Sequence, residues 1–468
     1  PNARFDPRVK ARVWDGKIRL FSLATKLMYA GLYRPLYQFC KDRNYNIVKV
    51  DSDYGMPFEL TENFTFDVAE NFAKSIKPWA HGEELTVHDY QLDAFYKAIR
   101  QQRKLFLSPT GSGKSLIIYL IIRMMLAWKP DKKILLIVPT TSLVEQMYTD
   151  FEDYSKINGW NVSKHCAKIY SGFTKYPTNE ITISTWQSLY KLPKEYFSKF
   201  HTVIGDEVHQ YKAMSLKGIM EKCSEAKFRI GTTGTLDGLQ TNQLVLEGLF
   251  GSVHIAATSK ELMDRGILSP LKIKCVVLGY NAEERKAAKK MDYQEEISFL
   301  IAHEKRNKFI RNLCLAQKTN TLCLYSRVAK HGQILYDMIK EKADVSRKVF
   351  FISGKTEALE REQIRHITET ERDAIIIASY GTFSVGSNLR NLHNIIFASP
   401  SKGRIRNLQS IGRGVRIFDG KEFVTLYDLS DDLSIGAKKN FSLQHLIHRL
   451  EIYNGEQFTY TISQIPLA

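Results

Sequence analysis

KLFLSPTGSGKSLIIYLIIRMMLAW, residues 104–128, decides how the chain is read. Lys104–Leu107 has strand character, Ser108–Ser115 is a glycine-bearing turn, and Leu116–Trp128 is an apolar run of helical length. Strand, Gly-rich turn and helix in that order form the setting of a phosphate-binding loop. Gly111 and Gly113 let backbone N–H groups, those of Thr110 and Ser112 among them, turn toward phosphate oxygens. A helix starting near Lys114 adds the positive end of its dipole. Lys114 would neutralise the outer phosphates of ATP, and the Ser115 hydroxyl would ligate Mg²⁺. Ser108 stands where the pattern G-x-x-x-x-G-K-[ST] has its first glycine. Alone, the stretch also fits a plain turn ahead of a buried helix, so its surroundings must decide.

On both sides of the loop, short β-branched or aliphatic runs alternate with helical stretches. The first set is Lys104–Leu107, Ile134–Val138, Ile181–Ser184, Val203–Asp206 and Arg229–Gly231. Such alternation predicts βαβ units and a parallel sheet. A charged crossing with Gly and Pro follows at Ser259–Pro270. The alternation restarts with Lys272–Leu278, Thr321–Tyr325, Lys348–Ile352, Ala374–Ala378, Asn394–Ala398 and Phe423–Asp428. A single core rarely exceeds about 250–300 residues, so 468 residues require more than one domain. The expected organisation is a small α+β N-terminal domain over 1–83 that binds a polyanion, and a sheet domain over 84–258 that carries the phosphate loop and so binds ATP. A second sheet domain over 259–435 and a helix and strand over 436–468 complete it. Within the first segment, Arg12–Phe21 reads as strand–turn–strand around Asp15-Gly16, and Leu32–Lys41 as a short helix.

Asp206 and Glu207 end an apolar strand, where open α/β sheets bind ligands. Asp206 is expected to hold Mg²⁺, and Glu207 to orient and deprotonate a water. An ordinary acidic strand end has the same look, and the upstream loop favours the catalytic reading. Gln409–Arg416 (QSIGRGVR) reads as a helix with Gln409, Arg413 and Arg416. The two arginines, three apart, would share a face. Arginines aimed at a γ-phosphate act as fingers, and placed in the second sheet domain they would sense ATP held by the first.

The net charge of +17 favours a polyanion, either nucleic acid or an anionic membrane surface. The membrane alternative is weak, because Leu116–Trp128 is interrupted by Arg123 and falls short of the roughly 20 residues of a span. The six cysteines form no C-x-x-C pair, which argues against a zinc site or disulfide framework and for a reducing setting. No secretory signal opens the sequence. Residue 1 is Pro rather than Met, so a start inside a longer product is expected. Basic residues interleave with Phe5, Trp14 and Phe21 near the N-terminus. Trp14 and Lys17 would touch DNA there, although a packed Trp beside a solvated basic face fits as well.

Loop, acidic pair and arginine segment together resemble superfamily 2 helicases over about 84–435. The resemblance implies two tandem RecA-like domains. It makes Gln91 in His88–Gln91 (HDYQ) the adenine-reading glutamine. Pro139–Gln146 (PTTSLVEQ) and Ser184–Leu189 (STWQSL) resemble motifs Ia and Ib, implying nucleic-acid contacts by Thr140, Thr185 and Trp186. Thr233–Thr235 (TGT) takes the place of a motif that links hydrolysis to the strand, which puts Thr233 on the DNA. Arg327, Ser353, Gly354 and Ser379 are implied backbone contacts of the second domain. Ser379–Leu389 resembles motif V, with Gly386 and Asn388 near the nucleotide; Gly386-Ser387-Asn388 replaces G-x-D, so position 388 can hydrogen-bond but carries no charge.

Phe5–Phe21, Ser259–Pro270, Met291–Glu296 and Ala378–Leu392 further resemble the UvsW-type helicases of T-even phages. That family implies ATP-driven remodelling of forks, Holliday junctions and R-loops in recombination, repair and replication restart. It also implies single-stranded and branched duplex DNA as partners, RNA–DNA hybrids and single-strand-binding or recombination proteins as further ones, and the cytoplasm of an infected host. A double-stranded DNA translocase of a restriction or remodelling complex, an RNA helicase, and a binding or annealing protein with a vestigial ATPase fold remain as alternatives.

Overall fold

The computed structural model describes residues 9, 11–12, 15–48, 63–80, 82–211, 214–327, 331–383, 389–399 and 403–467. The chain divides into two compact units. One is Pro1–Ser108 with Gly113–Ala256; the other is Pro109–Ser112 with Ala257–Ala468.

The first unit opens on helix Tyr33–Asp42, helix Phe66–Ile76 and a minimal antiparallel pair, β1 (Trp79–Ala80) and β2 (Glu83–Glu84). The described part of Arg12–Phe21 forms no strand; Phe21 makes only an isolated bridge to Met28. The expected hairpin is thus corrected, apart from positions outside the described residues. Asp15 explains the outcome. Its carboxylate accepts from Lys17 N at 3.1 Å and from the Arg19 guanidinium, local bonds that compete with a ladder. Helix Phe66–Ile76 starts on Thr65, whose hydroxyl accepts from Val68 N. Ala69, Ala73 and Ile76, spaced along one face, enter the same core as the sheet that follows.

That sheet is parallel throughout. Its strands are β3 (Arg103–Leu107), β4 (Lys133–Val138), β5 (Cys166–Ile169), β6 (Ile181–Thr185), β7 (Phe200–Gly205), β8 (Phe228–Thr233) and β9 (Val253–Ile255). The order is β5-β6-β4-β7-β8-β3-β9. Helices on both faces bury the strands, which is why the strands read as near-continuous apolar runs. Leu116 through Ile122 of helix Lys114–Trp128 are all buried, so this segment is a core helix. Arg123 is accommodated by donating to Tyr119 Oη at 2.6 Å and lying over the Trp160 ring. No described helix is long and apolar enough to cross a membrane.

The second unit repeats the plan. Its strands are β10 (Leu271–Gly279), β11 (Thr321–Tyr325), β12 (Val349–Ile352), β13 (Ile375–Ser379), β14 (Asn394–Phe397), β15 (Val424–Asp432) and β16 (Tyr460–Pro466), in the order β12-β13-β11-β14-β15-β10-β16. The tail is built into this unit. β16 pairs in parallel with β10, and Glu296 accepts from Phe441 N and Ser442 N at the start of helix Phe441–Gly455. Two buried ion pairs hold helices onto β15: Arg306 to Asp431 at 2.7 Å and Arg449 to Asp428 at 2.8 Å. The architecture is α/β: two tandem RecA-like parallel-sheet domains, a small N-terminal module and a C-terminal extension.

Candidate nucleotide and nucleic-acid site

Parallel strands end on the same side, so register decides which loops meet. Leu107 of β3 lies opposite Thr233 of β8, and Gly205 of β7 opposite Gly231. The loop after β3, the acidic pair after β7 and the threonines ending β8 are therefore neighbours. Ser108 N donates to Thr233 O at 3.0 Å.

Gly111 and Gly113 have φ of +88° and +78°, the left-handed region that suits glycine. A Cβ on Gly113 would collide with the Gln91 side-chain amide, so Gln91 lies against the phosphate loop. Gln91 Oε1 in turn accepts from His88 N, closing a capping box at the start of helix Asp89–Gln101. Lys114 Nζ donates to Ser108 O at 3.2 Å, which folds the lysine back over its own loop. Ser112 Oγ donates to Pro109 O at 2.7 Å. Ser115 Oγ is 2.8 Å from Tyr154 Oη.

Asp206 N continues the ladder past Gly205 by donating to Ile137 O at 2.9 Å. Its Oδ1 accepts from Thr232 Oγ1 at 2.7 Å. Burial, then the charge of Glu207, push the Asp206 carboxyl up to about 6, against the pull of Lys114. Glu207 goes the other way. Burial opposes its ionisation, but a hydrogen bond from His209, the Lys114 charge and the Thr233 hydroxyl outweigh it and hold its carboxyl well below the usual range. Glu207 also takes a left-handed backbone, φ 49°, an uncommon conformation of the kind that gathers at functional sites. Asp206 is the member of the pair that takes up a proton more easily, so a bound dication would keep it ionised, while Glu207 holds its charge through its own neighbours.

Thr233 is 0% exposed. Its hydroxyl lies 3.2 Å from Glu207 Oε2 and 3.0 Å from His209 Nδ1. Closure of β8 against β7 turns the Thr233 side chain onto the acidic pair, so the hydroxyl expected at the DNA is buried. Thr185 is likewise buried, at the start of helix Trp186–Leu189, with its hydroxyl 3.1 Å from Ser188 Oγ. Thr140 is half-buried and caps helix Thr141–Tyr154 through Leu143 N. Trp186 lines a crevice with Pro139, Glu207 and Gln210, which brings the motif Ib position beside the acidic pair.

In the second unit, β11, β12 and β13 also finish together: Tyr325 lies opposite Ser379, and Ile352 opposite Ala378. Arg327 follows β11 and donates to Gln294 Oε1 and Ser298 Oγ. Ser353 is buried in a turn, its N donating to Thr356 Oγ1, while Gly354 is exposed with open space beside its Cα. Ser379 is buried. Lys17 is exposed. Trp14, Gly386 and Asn388 lie outside the described residues.

Helix Arg404–Gly414 carries Gln409 and Arg413, both half-buried. It stops before Arg416. Val415 N closes the last turn on Ile411 O, so Arg416 leaves the helix and the shared-face expectation is corrected. The glycine at 414, a poor helix residue, was the available signal. Thr232 adjoins Thr233 and His209 stands two residues past Glu207, yet neither was given a role. Tyr154, 39 positions from Ser115, had no local signal at all.

Two RecA-like sheets, a Gly-rich phosphate loop and an acidic pair at the strand ends define a helicase-type ATPase of superfamily 2. A family model described as Type III restriction enzyme, res subunit, matches residues 84–238. The ATP-dependent DNA helicase UvsW of Enterobacteria phage T4 is 32% identical over 477 residues, covering 99% of this chain and 93% of that protein. The crystal structure of T4 UvsW aligns with 100% of this chain and 93% of that chain at 30% identity and TM-score 0.49. A fragment assigned as an HsdR subunit of a type I restriction enzyme from Vibrio vulnificus YJ016 shares the fold, with 16% identity, TM-score 0.61, and coverage of 92% of this chain and 74% of that chain. The chain belongs to the UvsW-type family of ATP-dependent DNA helicases.

Proposed function

We propose that this helicase spends ATP on remodelling branched DNA: forks, Holliday junctions and R-loops met in recombination, repair and replication restart. The observation that carries the reading is similarity to a phage DNA helicase along 99% of the chain, N-terminal module included, rather than over the motor alone. Gln91 reads adenine, and the backbone from Thr110 to Gly113 cradles the phosphates with Lys114. Ser115 and Asp206 would hold Mg²⁺, whose charge would screen the phosphates from one another. Glu207, kept ionised by His209, Thr233 and Lys114, takes the proton of the attacking water. Gln409, Arg413 and Arg416 serve the γ-phosphate as charge develops on it. Thr140 and Trp186 in the first unit, with Arg327 and Gly354 in the second, meet the DNA backbone. Single-stranded and branched duplex DNA are the partners, RNA–DNA hybrids and single-strand-binding or recombination proteins further ones, and the cytoplasm of an infected host the setting.

The test is ATPase stimulation by single-stranded, duplex, forked and four-way DNA, with RNA controls, beside strand displacement on the fork. Forked and four-way DNA should stimulate most, and the fork should come apart. Stimulation that grows with duplex length and no displacement would favour a double-stranded translocase, the reading that the match to the restriction res subunit suggests. Strongest stimulation by RNA would overturn DNA as the track.

A further inference from the structure

Gly414 ends the arginine helix in a crowded place. A Cβ there would sit 2.6 Å from Ile395 Cδ1 and 3.3 Å from Val424 Cγ1, so the helix end is pressed onto β14 and β15. The last carbonyls of a helix have no partner within it. Here they are taken up from outside. Val415 O accepts from Ser269 N at 2.7 Å, and Arg416 O accepts from Ser269 Oγ at 3.2 Å. Gly414 O accepts from Lys421 Nζ at 2.9 Å.

Lys421 is 8% exposed and makes a second bond of the same kind. Its Nζ donates to Arg390 O at 2.7 Å. Arg390 directly follows the motif V stretch and is anchored from its far side. Asn391 Nδ2 donates to Glu371 O at 2.8 Å, and Asn320 Nδ2 donates to Asn391 O at 2.8 Å. One ammonium thus joins the exit of motif V to the exit of the arginine helix. The surroundings are poor for a charge. Burial, then the neighbouring Arg416, push the ammonium down to about 7, and His393 is pushed down by its own burial and by Lys421. The two carbonyls are what holds it. A cation at a helix C-terminus also opposes the negative end of the dipole.

We propose that Lys421 is a positioning residue for ATP hydrolysis: it ties the chain leaving motif V to the point where Arg416 leaves its helix, and so sets Arg416 for the γ-phosphate. The hydroxyl and N–H of Ser269 fix the next residues, and Lys421 reaches both segments. A shift of about 1 Å in a group that acts on the transition state costs on the order of 100-fold in rate. The inference rests on the assignment of Arg413 and Arg416 to the γ-phosphate, and Arg416→Ala tests that assignment separately.

The experiment compares Lys421→Met, Lys421→Arg and Arg416→Ala in the full chain by DNA-stimulated ATPase, equilibrium ATP binding and thermal melting. Lys421→Met should lower kcat by about 10- to 100-fold with ATP affinity unchanged. Lys421→Arg, which keeps the cation and its donors, should recover most of that loss. Should the methionine variant lose its cooperative melting transition, Lys421→Gln takes its place in the same comparison. A wild-type kcat in the methionine or glutamine variant overturns the proposal. So does a loss of kcat that only follows a loss of ATP binding and is not rescued by arginine, because that is a purely structural role. Full kcat in Arg416→Ala would instead overturn the arginine assignment.

Discussion

Replacing Thr233 by valine removes one hydroxyl and nothing else of comparable size. The hydroxyl has a single proton and three neighbours: Glu207 Oε2 at 3.2 Å, Thr235 O at 3.3 Å and His209 Nδ1 at 3.0 Å. Given to Glu207, that proton makes a bond to a carboxylate, and such bonds contribute roughly 1.5–3 kcal/mol. Glu207 keeps its contact to His209 Nδ1 at 3.2 Å, so the loss is partial. If the bond is equally strong before and during hydrolysis, only folding suffers. If it holds the general base in line, the same free energy appears in the barrier, at about tenfold per 1.4 kcal/mol. Thr233→Val should therefore lower the kcat of DNA-stimulated hydrolysis by about 10- to 100-fold. ATP affinity should hold, since Lys114 and its loop are untouched. DNA affinity should hold too, because the side chain is fully buried. The assays are steady-state ATPase at saturating DNA and fluorescence-anisotropy titration of a labelled fork. Unchanged kcat with weakened DNA binding would refute the reasoning and return Thr233 to the nucleic-acid surface.

Three other outcomes are expected. Lys114→Ala should abolish hydrolysis and leave fork binding largely intact; loss of both, with an unchanged melting curve, would show that the lysine serves more than phosphates. Hydrolysis should weaken as pH falls through about 6, where the Asp206 carboxyl takes up a proton and competes with Mg²⁺. The same shift has an opposite sign for stability without metal. The folded carboxyl binds its proton more tightly than the unfolded one, so its contribution declines as pH rises from about 4 to 6. A pH profile that stays flat under raised and lowered Mg²⁺ would contradict this. Arg449→Met should destabilise the second unit by about 3–5 kcal/mol by leaving Asp428 buried with, among the described residues, Tyr453 Oη as its remaining side-chain partner. Denaturant melts would check it, and a shift near zero would refute it.

What could be read from the sequence alone was local or repeated. The switch from strand to Gly-rich turn to helix at 104–128 needs only near neighbours, and so do the acidic strand end at Asp206-Glu207 and the alternation that makes two parallel sheets. The eleven strand segments expected in the two sheets all lie on observed strands because parallel strands buried on both faces leave a clear apolar signature. β5 and β9 are short, with polar or half-exposed residues, and leave a faint one.

Pairing across the chain was decided by tertiary structure. The register of β7 with β8 put the Thr233 hydroxyl on Glu207, and helix packing put Tyr154 on Ser115. A glycine pressed onto two strands ended the arginine helix before Arg416. The tail strand joined the second sheet beside β10, and Lys421 closed a bridge between carbonyls at 390 and 414. The physical reason is the same in each case. A turn or a period is written in adjacent residues, whereas a side chain's partner depends on which strands the whole chain brings side by side.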